Sequence, residues 1–356
     1  DENQYQKNIL KYEKDGKFGL INFSGKTVTG AKYEEISGIG HKEGEVLIKK
    51  DGKYGVIDEN GNVKIKNKYD SIEIDEYYTE KDGYKKSGYI VCITTDEGYR
   101  YGYYDNECVQ VLNEDYNQIS RLPQIENEDI YLLVAENGQF GVFVNNTKII
   151  DTKYQSIDYN VDLEMFIVER TGKFGAINLN GLEILKTEFS NLQINGIYIY
   201  GTKDEENKVY DSSGKEVDIP FDTIIQKTDS EYFIKNAAGS FSILNSDFEQ
   251  ISTQSYMGLD FAFDKYFIAT NSENKVGIID SQENTKLEFK YDVIQLIKDT
   301  SIIQAIDFAT QTTYIYDYNF ELIVQVNNAN IEYLDDGIKI YNNETEYLLD
   351  DNGKLK

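Results

Sequence analysis

Apolar and polar positions alternate with a period of two in short stretches along the whole chain, and turn residues separate the stretches. Residues 46 to 74 show the pattern. Val46-Leu47-Ile48-Lys49 is a β-rich run, and Asp51-Gly52 is a hairpin turn signal. Tyr54-Gly55-Val56-Ile57 is a second run. In Asp58-Glu59-Asn60-Gly61 the aspartate can bond turn amides and Gly61 can take a positive φ. Val63-Lys64-Ile65-Lys66 alternates again. Tyr69 to Ile74 predicts a short fourth strand or a corner. Such an antiparallel meander cannot bury two faces alone, so it must pack on its neighbours.

The pattern recurs. A turn, a basic or polar residue, an aromatic, glycine, two aliphatics and Asp or Asn appear as Lys17-Phe18-Gly19-Leu20-Ile21-Asn22 and Lys53-Tyr54-Gly55-Val56-Ile57-Asp58. Further copies surround Gly102, Gly141, Gly175 and Gly277, and degraded ones surround Lys208, Ser242, Tyr314 and Tyr347. Successive intervals are 36, 47, 39, 34, 33, 34, 35, 37 and 33 residues, so about ten units fill residues 1–356 as one tandem-repeat β domain. The long interval marks an insertion near 77–88. A second signature follows each glycine: Tyr33, Tyr69, Tyr116 and Tyr154, continued by Phe189, Phe221, Tyr256 and Tyr291. These aromatics are expected in the core, filling the space left by the glycines.

The fold class is therefore all-β: ten antiparallel β-meander repeats in an open, curved or superhelical array. Ten blades exceed the usual propeller of about four to eight. A β-propeller, or two small ones, is the alternative.

The Lys-aromatic-Gly cores, with turns such as Ser24-Gly25-Lys26, Asn60-Gly61-Asn62, Ser213-Gly214-Lys215 and Asn352-Gly353-Lys354, resemble the WG-repeat (KWG-repeat) family of bacterial β-repeat proteins. Phe or Tyr stands where that family has tryptophan, which this chain lacks altogether. The resemblance covers the whole chain. It implies no single activity, and implies an interaction or surface module in a bacterial protein.

Composition narrows the function. Lys plus Arg total 36 and Asp plus Glu 63, a formal net charge of -27, which argues against nucleic acid as a partner. Residues 1–100 carry 17 basic and 19 acidic side chains, so the acidity belongs to the later units. No apolar run is long enough for a transmembrane helix. The first residue is Asp1, so a mature or trimmed form is expected, and an extracytoplasmic or secreted location with it; the cytoplasm is the alternative.

Candidate chemistry is sparse. His41 is the single histidine and lies in a loop, Gly38-Ile39-Gly40-His41, with no helix to make a phosphate site. Cys92 and Cys108 are expected on the first and third strands of one unit, beyond disulfide reach. Asp58-Glu59-Asn60-Gly61-Asn62 is similar to part of a calcium loop, but Tyr69 stands where the bidentate glutamate is needed. Asp204-Glu205-Glu206 and Asp335-Asp336 read as solvated turns, with weak divalent cation binding as the alternative. Asn22-Phe23-Ser24, Asn145-Asn146-Thr147 and Asn343-Glu344-Thr345 match glycosylation sequons that mean nothing in a bacterial protein. No catalytic, cofactor or metal residue is singled out, and no cofactor is expected. The expectation is a non-enzymatic scaffold for a protein or cell-envelope partner. The alternative is a carbohydrate-binding or glycan-active protein using loop carboxylates.

Overall fold

The computed structural model describes residues 9–39, 42–79, 83–122, 129–334 and 337–356. Among these there is no helix, and none long and apolar enough to cross a membrane. The strands form ten antiparallel sheets in chain order, seven with four strands and three with three. None closes on itself. The chain divides into two compact units, Asp1–Asn191 and Leu192–Lys356.

The second sheet shows the plan: Glu35–Ile39, Lys42–Lys50, Lys53–Asp58 and Val63–Tyr69. The last strand ends at Tyr69, Asp70 makes the corner, and Ser71–Thr79 pairs with Gly83–Thr95 of the third sheet. Of the two readings of Tyr69 to Ile74, a short fourth strand or a corner, the corner holds: it falls at Asp70, and Ser71 onward opens the next sheet. The second to ninth sheets each begin with the segment that follows the aromatic of the preceding repeat. The backbone enforces this handover: Glu34, Asp70, Asn117 and Gln155 donate their amides to Lys49, Cys92, Ala135 and Glu169 of the sheet that follows.

Within each unit, consecutive sheets bury a layer of side chains between them. In the first unit Val56, Ile65 and Tyr69 meet Tyr89 and Val91, and Val142 and Ile150 meet Ile157 and Phe166. In the second unit Ile302, Ile315 and Val324 meet Ile338, Ile340 and Leu349. Each fully buried aliphatic or aromatic side chain contributes roughly 1.5–3 kcal/mol, so the core is distributed over the layers.

The repeat aromatics Tyr33, Tyr69, Tyr116, Tyr154, Phe189, Tyr256 and Tyr291 are buried, as expected, and Phe221 is half-buried. They do not fill the glycine gaps. Tyr69 pairs with Tyr54, and two residues later Ile65 pairs with Val56, so the last strand bulges toward Gly55. A Cβ on Gly55 would lie 2.7 Å from Asn67 N and 2.8 Å from Ile65 O. At Gly55 backbone, not an aromatic ring, occupies the space; at Gly19 and Gly277 the rings of Tyr12 (2.7 Å) and Phe289 (3.0 Å) crowd it together with backbone. The same shift occurs opposite Gly19, Gly102, Gly141, Gly175 and Gly277. In the ninth sheet Tyr314 replaces the glycine and pairs in regular register with Gln325, and only the later shift, between Ile315 and Tyr316, is kept. The bulge and the glycine therefore go together.

The second turn is a side-chain device. Asp58 Oδ1 accepts from the amides of Asn60 (2.9 Å) and Asn62 (2.8 Å), while Gly61 takes φ 83°. Asn22, Asp105, Asn178, Asp211, Asn245, Asp280, Asp317 and Asp350 accept from the amides two and four residues on in the same way. Six of the aspartates thus have a local task, closing turns.

Candidate functional site

The inserted segment is where the repeat departs furthest from its plan. Ser71–Thr79 and Gly83–Thr95 are 9 and 13 residues long and form an extended hairpin, with a register shift between Asp75 and Glu76. Residues 80–82 lie outside the described residues. Two buried polar clusters hold its base.

The first cluster surrounds Glu45, on the strand Lys42–Lys50. Lys86 Nζ lies 3.3 Å from Glu45 Oε2 and donates to Asn106 O at 3.2 Å. The Tyr89 hydroxyl donates to the same Glu45 oxygen, and the Lys86 ammonium sits 3.7 Å from the Tyr89 ring centroid. The Cys108 thiol approaches Glu45 Oε1 at 3.7 Å. The Lys86 side chain is 1% exposed. Burial, and then the bond to Glu45, push the Tyr89 phenol far above its ordinary value. Burial and the Glu45 charge push the Cys108 thiol up to about 11, with Lys86 opposing. A thiol so held stays protonated and is a poor nucleophile.

The second cluster surrounds Asp75. Ser87 Oγ donates to Asp75 Oδ2 at 2.5 Å and the Tyr103 hydroxyl at 2.6 Å. Arg121 Nη1 lies 3.8 Å from the same oxygen, and its guanidinium stacks 4.1 Å from the Tyr77 ring centroid. Burial and then Asp75 raise the Tyr103 phenol well above its ordinary range. Both carboxylates are thus engaged by tyrosines and cations. The arrangement is suited to holding a hairpin at a fixed angle. Beyond the base, Tyr78 and Tyr84 pair edge to face at 5.3 Å, exposed at 62% and 57%. Such a pair offers flat apolar area with a polar handle.

A lighter latch joins neighbouring sheets. Lys53 pairs with Asp70, whose other oxygen accepts from Thr94 N at 2.7 Å. Lys275 pairs with Asp292 at 2.6 Å, and Asp292 accepts from Phe308 N at 2.7 Å. This gives Lys53 and Lys275, two residues before their glycines, a structural task. The lysine bond first, and the amide bond after it, lower both carboxyls.

Of the residues singled out in the sequence, Cys92 is buried on the strand Gly83–Thr95 and both thiols are free. Cys108 is not on a strand: it occupies the positive-φ position (61°) of the Asp105 turn, where Gly61 stands in the second sheet. The calcium-like segment at Asp58 is the capped turn described above. Asp204 and Glu205 form a hairpin turn with φ 52° and 68°. His41, Asp335 and Asp336 lie outside the described residues. Among the described residues no group of three or more His, Cys, Asp and Glu side chains is placed to hold a metal. Sequence reasoning missed Glu45, Asp75, Lys86 and Arg121. The available signal was charge within β-rich runs next to the insertion.

No family model and no curated protein matches the chain. Solved structures with related strand arrangements include a eukaryotic initiation factor, 12% identical over 90% of this chain and 96% of that one, with a TM-score of 0.37. Hsv2p of Kluyveromyces lactis is 12% identical over 55% and 76%, with a TM-score of 0.29. The WD40 β-propeller domain of Doa1 is 11% identical over 71% and 85%, with a TM-score of 0.24. Overlap this low carries no functional argument.

Proposed function

We propose that this chain is a non-enzymatic repeat scaffold of the WG-repeat kind, which binds a protein or cell-envelope partner outside the cytoplasm. One observation carries the reading: the largest irregularity in the repeat is an extended hairpin that displays Tyr78 and Tyr84 above a buried charged base. Desolvating Lys86, Glu45, Asp75 and Arg121 stabilises the fold little compared with apolar packing. Retaining them makes sense where the hairpin must keep one orientation. Aromatic anchors on a rigid element are typical of hot spots. The acidic later units favour a basic partner face and salt-sensitive association.

The test is affinity capture from envelope and soluble fractions, with wild type and the Tyr78→Ala/Tyr84→Ala double variant. The expected result is a partner retained by wild type and lost by the variant, with unchanged melting. Equal capture by both proteins, or turnover of a small molecule with no partner found, would sink the proposal.

A further inference from the structure

The second unit contains a cleft of a different character. It lies at the rim between the ninth sheet and the strand Asn330–Leu334 that opens the tenth, with a volume of about 480 Å³. Gln304, Thr313, Gln311, Asn328 and Phe308 line it, with aliphatic Ile306 and Ile331 between them. Among the described residues no formally charged side chain lines it, in a chain that is 28% charged.

Two of the lining residues replace the repeat's own apolar choices. Gln304 pairs with Ile315. The corresponding residues in four inner sheets are Leu47 opposite Val56, Leu133 opposite Val142, Ile167 opposite Ala176 and Ile268 opposite Ile278, while the first and last sheets carry Lys11 and Lys339 there. Thr313 stands where Tyr54, Phe140 and Phe174 precede the glycine. A large apolar side chain at each position would close the gap between sheets. Here the gap is open and its walls are polar.

Both replacements are buried, Gln304 and Thr313 being 6% exposed each. Gln295 Nε2 donates to Gln304 Oε1 at 2.8 Å, which fixes the amide. Among the described residues, neither Gln304 Nε2 nor Thr313 Oγ1 has a hydrogen-bond partner, and neither atom is sealed from solvent. A donor and a hydroxyl that face an open cleft can be met by solvent or by the polar groups of a ligand, so they are available for recognition. At the rim, Asn328 N donates to Gln311 O at 2.8 Å, which holds the two exposed amide side chains side by side. Phe308 is 63% exposed beside them.

We propose that this cleft binds an uncharged sugar ring. Amide and hydroxyl groups can both donate to and accept from ring hydroxyls. Phe308 offers a flat apolar surface to the C–H face of a pyranose. An anion would find no counter-charge here and would meet the field of an acidic chain; a cation would find no carboxylate in the lining. The volume lies within the range of small-ligand sites, about 300–1,000 Å³. This goes beyond the scaffold reading and uses a different unit of the molecule, so either can fail alone.

The test is saturation-transfer NMR on the full chain with glucose, galactose, mannose and N-acetylglucosamine, and with inorganic phosphate, glucuronate and a capped dipeptide as competitors. Transfer to at least one neutral sugar is expected, and the charged competitors should not displace it. Gln304→Leu and Thr313→Phe restore the residue types that other repeats carry, so they should keep or raise the melting temperature while weakening sugar binding about tenfold or more. Phe308→Ala should weaken it without affecting melting. The proposal is overturned if no neutral sugar binds, if binding survives both restoring variants, or if the capped dipeptide or an anion is preferred.

Discussion

The third and ninth sheets both depart from the repeat, and they do so in opposite ways. The third adds an extended hairpin and buries charges at its base, each met by an opposite charge or a phenol. The ninth keeps its length, loses the glycine and its bulge, and places neutral polar groups where the repeat is apolar. Buried ions must be paired inside the protein, because leaving them open is prohibitive. Neutral amides can remain open toward solvent at modest cost. Charge therefore serves here to fix an element, and uncharged polarity leaves room for a ligand.

That contrast can be broken at several places. The largest effect is expected from Glu45→Ala, which leaves Lys86 without its carboxylate. A loss of about 3–5 kcal/mol is expected by chemical denaturation. A loss below that range would mean the cluster is hydrated and does not brace the hairpin.

Next comes the bulge. Gly102→Ala in the third sheet sets a Cβ 2.8 Å from Leu112 O and 3.1 Å from Asn113 C, and neither backbone atom can yield alone. About 1–3 kcal/mol should be lost. In the ninth sheet Tyr314→Phe removes only a hydroxyl from a regular ladder and should stay within about 0.5 kcal/mol. Comparable losses at the two positions would disprove the link between glycine and bulge.

The turns should behave alike wherever they are. Asp58→Ala should cost about 1–2 kcal/mol, whereas Asp58→Asn should be nearly neutral at pH 7, since Asn22 and Asn178 close the same turn elsewhere. Burial works against the Asp58 carboxylate, but bonds from the Asn62 side chain and from the amides of Asn62 and Asn60 hold its pKa below the ordinary 3.8. Its contribution is present above that ordinary value and is lost as pH falls through the lowered one. Acid melting curves of the Asp58→Asn variant should therefore lack this component; curves that superimpose on wild type would count against it. The smallest effect is expected for Lys275→Ala. The Lys275–Asp292 pair is only partly buried, and only a small change in melting should follow at physiological salt.

The local chemistry of each repeat was legible because it is written within short spans. Asp58 and Gly61 are three residues apart, and a side-chain acceptor followed by a positive-φ residue defines the turn without outside help. The burial of Tyr69 was likewise readable from alternation and phase. The fate of Gly55 was not: the sequence shows a missing side chain, and only the register of the facing strand reveals that backbone fills the space. Cys108 was misplaced for a related reason, since its turn position is usually glycine and its apolar neighbour Val109 reads as strand. The bases of the two candidate sites were silent. Glu45 meets Lys86 and Tyr89 across about forty residues, and the polarity of Gln304 gains meaning only beside Thr313 and the next sheet.

By itself, then, the sequence determined the all-β class, the ten repeats, the turns and the aromatic core, because hydrogen-bonded turns and period-two burial are local or strictly periodic. Only the tertiary structure decided that each strand after a corner belongs to the following sheet, that the insertion is an extended hairpin seated on paired charges, and that one repeat opens a neutral cleft. Those outcomes depend on which side chains meet across a gap between sheets, and no periodicity encodes that.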